Sequence, residues 1–178
     1  GMVDNLKFIM NLLRVYEPIV PLLNSALVET SDKRIIDLCS GGGGGIENIA
    51  EALKKVNENE ITIVLTDKYP DLDAYRYINQ KNPSITYIEE PVDATNIPTG
   101  LNGFRTIFTS FHHFKPYQAK AILKDAVDKK SGIGIFEGSE RSIRGALSVI
   151  IIIPILSLLA TPFIRPFKWS RLFFTYII

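Results

Sequence analysis

Residues 34–46, RIIDLCSGGGGGI, constrain what this chain can fold into more than any other stretch. An apolar run broken only by a carboxylate fits a short buried strand. The five glycines after it would weaken a strand or a helix from within, so they mark a turn. Residues 46–56 then read as a helix, and the whole is strand, glycine turn, helix. A turn without Cβ atoms permits positive φ and lets main-chain N–H groups at a helix start approach a ligand closely. A flexible surface loop is the competing reading, and the strand-turn-helix context favours a ligand loop.

The rest of the chain repeats the alternation. Residues 5–27 space Leu6, Ile9, Met10 and Leu13 at helical intervals, with Pro18 and Pro21 placed to break or restart the helix. Strands are expected at 61–67, 84–93, 104–111 and 132–138. Helices are expected at 71–80 and at 115–130, where a proline near the start and lysines at the end suit the helix dipole. Strands alternating with helices imply right-handed crossovers, hence a doubly wound, mostly parallel α/β sheet with helices on both faces. One such domain, residues 1–144, accounts for the chain up to a different, apolar segment at 145–178.

Composition narrows the function. With 20 Lys and Arg against 19 Asp and Glu, a net charge of +1 gives no field for gripping a phosphate backbone, so nucleic acid is not expected as a partner. The single cysteine, Cys39, has no partner for an internal disulfide, and no signal-like opening precedes the domain, so a reducing cytoplasmic setting is expected.

In an open α/β sheet, ligands bind at the carboxyl ends of the strands, where the glycine run lies. A P-loop would need Gly-Lys-Ser/Thr after the turn, and no lysine follows. A Gly-x-Gly-x-x-Gly/Ala dinucleotide fingerprint finds Ile46 or Glu47 in its last position. The segment IIDLCSGGGGG resembles the first motif of class I S-adenosylmethionine-dependent methyltransferases, acidic-x-Gly-x-Gly-x-Gly. The resemblance implies a Rossmann-like fold and S-adenosylmethionine as cofactor. It places the acidic position at Asp37, the first glycine position at Cys39, and the next two at Gly41 and Gly43, with Ser40 inside the motif. Cysteine departs from the pattern but is small enough to preserve the turn, and a buried packing role suits it better than a nucleophilic one.

The resemblance extends along the sheet. The family holds the ribose hydroxyls with an acidic residue ending the second strand, here Asp67, followed by Lys68. It often sets an aspartate against the adenine amino group after the third strand, here Asp93, followed by Ala94. Taken singly, each carboxylate is as well explained as a solvated loop charge or a helix cap. The fourth strand leads into TSFHHFKP, similar to the His-His segment of some small-molecule methyltransferases at the border of the acceptor pocket. His112 or His113 is the candidate base there, with loop orientation as the alternative role, since methyl transfer needs mainly in-line positioning. Two histidines without further ligands predict no metal site.

Residues 145–164 carry no charge for 20 positions, long enough to span a bilayer, although Pro154 and Pro162 interrupt them. A buried helix or cap over the acceptor pocket is expected, with membrane contact as the alternative. The family completes its sheet with two further strands, for which only RLFFTYII remains. The resemblance therefore implies a C-terminally shortened chain whose uncovered apolar surface calls for lipid or a second copy. The function expected is methyl transfer from S-adenosylmethionine to a small, apolar acceptor. The alternatives are a catalytically silent nucleoside-binding or membrane-associated protein, and an NAD-dependent oxidoreductase.

Overall fold

In the computed structural model, which describes residues 14–30, 32–57, 60–137 and 153–161 together with Trp169 and Phe173, five strands form one parallel sheet. They are β1 (Arg34–Leu38), β2 (Thr62–Thr66), β3 (Ile85–Tyr87), β4 (Phe104–Phe108) and β5 (Ile133–Phe136), in the order β3-β2-β1-β4-β5. The helices are α1 (Val20–Thr30), α2 (Ile46–Val56), α3 (Leu72–Lys81), α4 (Pro116–Asp128) and α5 (Ile153–Ala160). The winding reverses at β1, which pairs with β2 on one side and β4 on the other. The carboxyl end of β1 is thus the crevice where a doubly wound sheet presents its ligands.

Period-two alternation sends β1 side chains to both faces of a covered sheet, so the strand is apolar apart from Arg34 at its exposed start and the buried Asp37. Ile35 packs into one layer, with Val20, Leu23 and Leu27 of α1, Ile46 and Ile49 of α2, and Ile78 of α3. Ile36 and Leu38 face the other layer, with Val64, Ile107, Ile122 of α4, and Val92 and Ile97 from the loop before β4. Each fully buried aliphatic side chain contributes roughly 1.5–3 kcal/mol, so the two layers together hold the strand in place. Arg105 on β4 is 1% exposed, and its Nη1 donates to Asp125 Oδ2 of α4 at 2.9 Å. Burial pushes the Asp125 carboxyl up, but Lys129 and Arg105 outweigh it and hold the group below its ordinary value. A buried cation paired this way ties α4 to the sheet, because removing either partner strands the other.

Expected and observed elements differ where local chemistry intervenes. The third strand stops at Tyr87 instead of reaching residue 93, because Glu89, Glu90 and Pro91 supply like charges and a missing N–H. The fourth strand ends at Phe108, where Thr109 turns into the left-handed region at φ 45°. Near the N-terminus, Pro18 sits in a one-turn 3-10 helix, Glu17–Ile19, and Pro21 in the first turn of α1, so the prolines restart the helix as their chemistry demands. Residues 5–13 and Gly138 lie outside the described residues, as do 145–152 and 162–164 of the apolar run. The described part of that run is helix α5 followed by the buried Thr161.

Candidate functional site

The glycine turn is a chain of left-handed residues: Cys39 (φ 58°), Gly41 (55°), Gly43 (72°) and Gly45 (85°). Ser40 staples it between two strand ends. Its N–H donates to Thr66 O at 3.0 Å, its hydroxyl donates to Asp37 O at 2.9 Å and accepts from Thr66 N at 3.2 Å, and its carbonyl accepts from Gly43 N at 2.7 Å. The glycines serve different ends. A Cβ on Gly43 would come within 2.5 Å of Ile78 Cδ1, so that position is bare for helix packing. A Cβ on Gly41 would meet nothing within 4 Å, so its bare backbone faces open space at the carboxyl edge.

The three carboxylates occupy different depths. Asp67 reaches back over the turn: its Oδ2 accepts from Gly41 N and its Oδ1 from Tyr69 N, both at 2.8 Å. Asp37 lies beneath, 3% exposed, with Oδ1 accepting from Thr106 Oγ1 of β4 at 2.8 Å. Burial pushes its carboxyl up to about 7 against the pull of the Ser40 and Thr106 hydroxyls, and the Asp67 charge adds to the rise. Asp93 stands at the rim, where Lys68 Nζ donates to Oδ2 at 2.8 Å and Thr95 donates twice to Oδ1, at 2.9 Å from N and 2.7 Å from Oγ1. Lys68 and then Thr95 hold that carboxyl down at about 2. Ala94 is buried in the second layer. Cys39 keeps the turn only by adopting a glycine-like φ. Burial, with the neighbouring carboxylates, pushes its thiol up to about 12, the opposite of what a nucleophile needs.

The histidine pair closes the other side of the same edge. His112 and His113 sit in a one-turn 3-10 helix, Phe111–His113, directly after β4, and Ser110 Oγ donates to Cys39 O at 3.5 Å. Glu137, just past β5, anchors this turn with both oxygens. Oε1 accepts from Phe111 N at 2.9 Å and His112 N at 3.3 Å, while Oε2 lies 2.7 Å from His112 Nδ1. With Nδ1 held, proton exchange with another molecule falls to Nε2. The His113 ring lies against that of His112, centroids 4.0 Å apart. Tyr16 completes this side: its hydroxyl bonds to Thr109 Oγ1, its ring lies 4.8 Å from that of Phe108, and a Cβ on Gly45 would strike it at 2.8 Å. Burial pushes the Tyr16 phenol up to about 12.

Sequence reasoning singled out neither Glu137 nor Tyr16. Glu137 had a usable signal, since a carboxylate at the carboxyl end of a parallel strand is where such sheets place site residues. Tyr16 had none, because its contact with Gly45 depends on how α1 docks. Away from this edge, a groove of about 830 Å³ opens between α2 and α3 beside Ile61 and Ser84, at the amino end of the sheet. Among the described residues, no group of three or more His, Cys, Asp or Glu side chains could hold a metal ion.

No family model and no curated protein matches the chain. Solved structures do. One is an O-methyltransferase family protein from Burkholderia thailandensis, at 16% identity over 85% of this chain and 47% of that one, with a TM-score of 0.53. Another is the S-adenosylmethionine-dependent methyltransferase SibL in its apo form, at 14% identity over 90% of this chain and 49% of that one, with a TM-score of 0.52. A third is the methyltransferase domain of bacterial CtHen1-CN, at 14% identity over 68% of this chain and 65% of that one, with a TM-score of 0.51. The likeness is one of fold: a Rossmann-like α/β sheet wound as in class I S-adenosylmethionine-dependent methyltransferases. The chain has that fold, and it spans about half the length of the first two structures.

Proposed function

We propose that this chain binds S-adenosylmethionine at the glycine turn and transfers its methyl group to a small, apolar acceptor at the carboxyl edge of the sheet. The observation that carries this reading is the hydrogen bond from Gly41 N to Asp67 Oδ2, which brings the acidic end of β2 onto a glycine of the turn that faces open space. A carboxylate offers about four lone-pair sites, so Asp67 can hold Gly41 N and Tyr69 N and still accept from both ribose hydroxyls. The residues present therefore fit a nucleoside. The adenine station is less open, because Lys68 and Thr95 already draw on Asp93. When bound, the cofactor supplies an electrophilic methyl group on a sulfonium. Ser40 fixes the turn that receives the cofactor, and Asp37 accepts Thr106 beneath it. His112, with Nδ1 held by Glu137, can take the acceptor's proton at Nε2.

The test is calorimetric titration with S-adenosylmethionine, S-adenosylhomocysteine, NAD and NADP. Binding of either sulfur nucleoside supports the reading; tight binding of NAD with neither sulfur nucleoside overturns it. Asp67→Ala is expected to weaken nucleoside binding by roughly 1.5–3 kcal/mol, the range for a hydrogen bond to a charged group. Unchanged affinity in a folded variant would remove Asp67 from the site.

A further inference from the structure

The near-neutral total charge conceals a segregation. From Arg141 to Ile178 the sequence holds five basic side chains, Arg141, Arg144, Arg165, Lys168 and Arg171, and no acidic one. The other 140 residues carry 15 Lys and Arg against 19 Asp and Glu. An acidic body is thus joined to a cationic segment, and the cations bracket the charge-free run at 145–164 on both sides. Within that run, α5 leaves Ile155 52% and Leu159 66% exposed, and beyond it Trp169 is 77% exposed. No helix among the described residues is long and apolar enough to cross a membrane.

We propose that residues 141–178 dock this chain on an anionic lipid surface. Ile155 and Leu159 of α5 and the Trp169 ring enter the boundary between headgroups and acyl chains, and the cations that flank them in the sequence supply the attraction to anionic headgroups. Lys and Arg on either side of an apolar segment in the sequence, with a tryptophan among them, are the residues that hold such a segment at an anionic lipid interface. A second copy of the chain is the poorer occupant. A two-fold interface would set five cations against five of the same sign, with no carboxylate in the segment to relieve them. A nucleic acid would answer the charge but leave the exposed Ile155 and Leu159 unexplained. The acidic body adds orientation, since an anionic membrane repels it while holding the segment.

The experiment is flotation of the 178-residue chain with phosphatidylcholine vesicles, with and without a minority of phosphatidylserine, across a salt series. Recovery with the anionic vesicles, falling as salt rises, is the expected result. Each basic residue near an anionic surface strengthens partitioning about fivefold, so the triple variant Arg165→Gln, Lys168→Gln, Arg171→Gln should lower it about 100-fold. Leu159→Glu, at an exposed position, should also release the protein, and both variants should keep the wild-type melting temperature. Recovery on neutral vesicles that is insensitive to salt, or resistance to alkaline carbonate extraction, would overturn surface docking. Failure to float with either vesicle would overturn it equally, and ultracentrifugation showing a dimer would then assign the surface to a second copy. None of these measurements depends on the cofactor, so their failure leaves the nucleoside reading standing.

Discussion

Between about pH 4 and 7, Asp37 carries a proton that the unfolded chain would release. Burial raises its folded value from 3.8 to about 7, so between those pH values the folded state binds more protons than the unfolded one. The sign follows from linkage: stability is fully present below about pH 4, falls as pH rises towards 7, and levels off above it, a total of about 4 kcal/mol at most. Asp93 works in the opposite sense, its contribution being lost only as pH falls from 3.8 towards about 2. Asp37→Asn keeps an acceptor for Thr106 Oγ1 but has no proton to lose. Its melting temperature is expected to stay flat from pH 5 to 8 while that of the wild type declines, and parallel curves would show that another group controls the slope. Two residues on, Cys39 offers a second test. A left-handed non-glycine residue costs roughly 1–2 kcal/mol, and a glycine in its place gives back about 0.5–1 kcal/mol in chain entropy. Cys39→Gly should therefore stabilise the protein by about 0.5–1 kcal/mol, and Cys39→Val, β-branched at φ 58°, should destabilise it by about 1–3 kcal/mol, both read from urea midpoints.

At the scale of elements, the short turn carrying the histidines belongs to β5 as much as to β4, because Glu137 holds two of its N–H groups and one imidazole nitrogen. If His112 is the base, His112→Ala should lower turnover about 10²- to 10⁴-fold with nucleoside affinity nearly unchanged, and His113→Ala should lower it far less. The reverse pattern would move the role to His113, and a small loss in both would leave positioning alone. Much of this arrangement is legible in the sequence, for reasons that differ by element. β1 and α2 emerge at residues 34–38 and 46–56 as expected, since a buried strand, a glycine turn and an amphipathic helix each leave strong local patterns. β3 is overextended in the sequence reading because Ile88 and Val92 continue the apolar pattern. There the Glu89-Glu90-Pro91 break wins, and Val92 N instead donates to Asp67 O at 2.8 Å, binding the loop to the end of β2. Asp67 is legible as a carboxylate ending a strand, but its bond to Gly41 N is not, since sequence spacing says nothing about the path of a turn. Glu137 is hidden for a similar reason: its partners lie 25 and 26 residues back and meet it only through the pairing of β4 with β5.

Across the whole molecule, the sheet order determines which contacts have to wait. Two buried threonines bond to Asp37 from opposite sides: Thr66 Oγ1 of β2 to its carbonyl, 29 residues along the chain, and Thr106 Oγ1 of β4 to its carboxylate, 69 residues along. Closing the longer loop costs only about 1 kcal/mol more entropy, but β4 must also find a β1 already flanked by its other neighbour. The β1-β2-β3 half is therefore expected to assemble first and β4-β5 to dock on it. Thr66→Val should slow refolding, whereas Thr106→Val should mainly speed unfolding; stopped-flow chevrons separate the two, and equal partitioning in both would mean that the halves form together. The winding reversal at β1 then gives the site a history. On that order, the turn proposed to cradle a nucleoside is expected to form before the edge proposed to receive an acceptor, so a chain caught midway would hold a nucleoside with nowhere to send a methyl group.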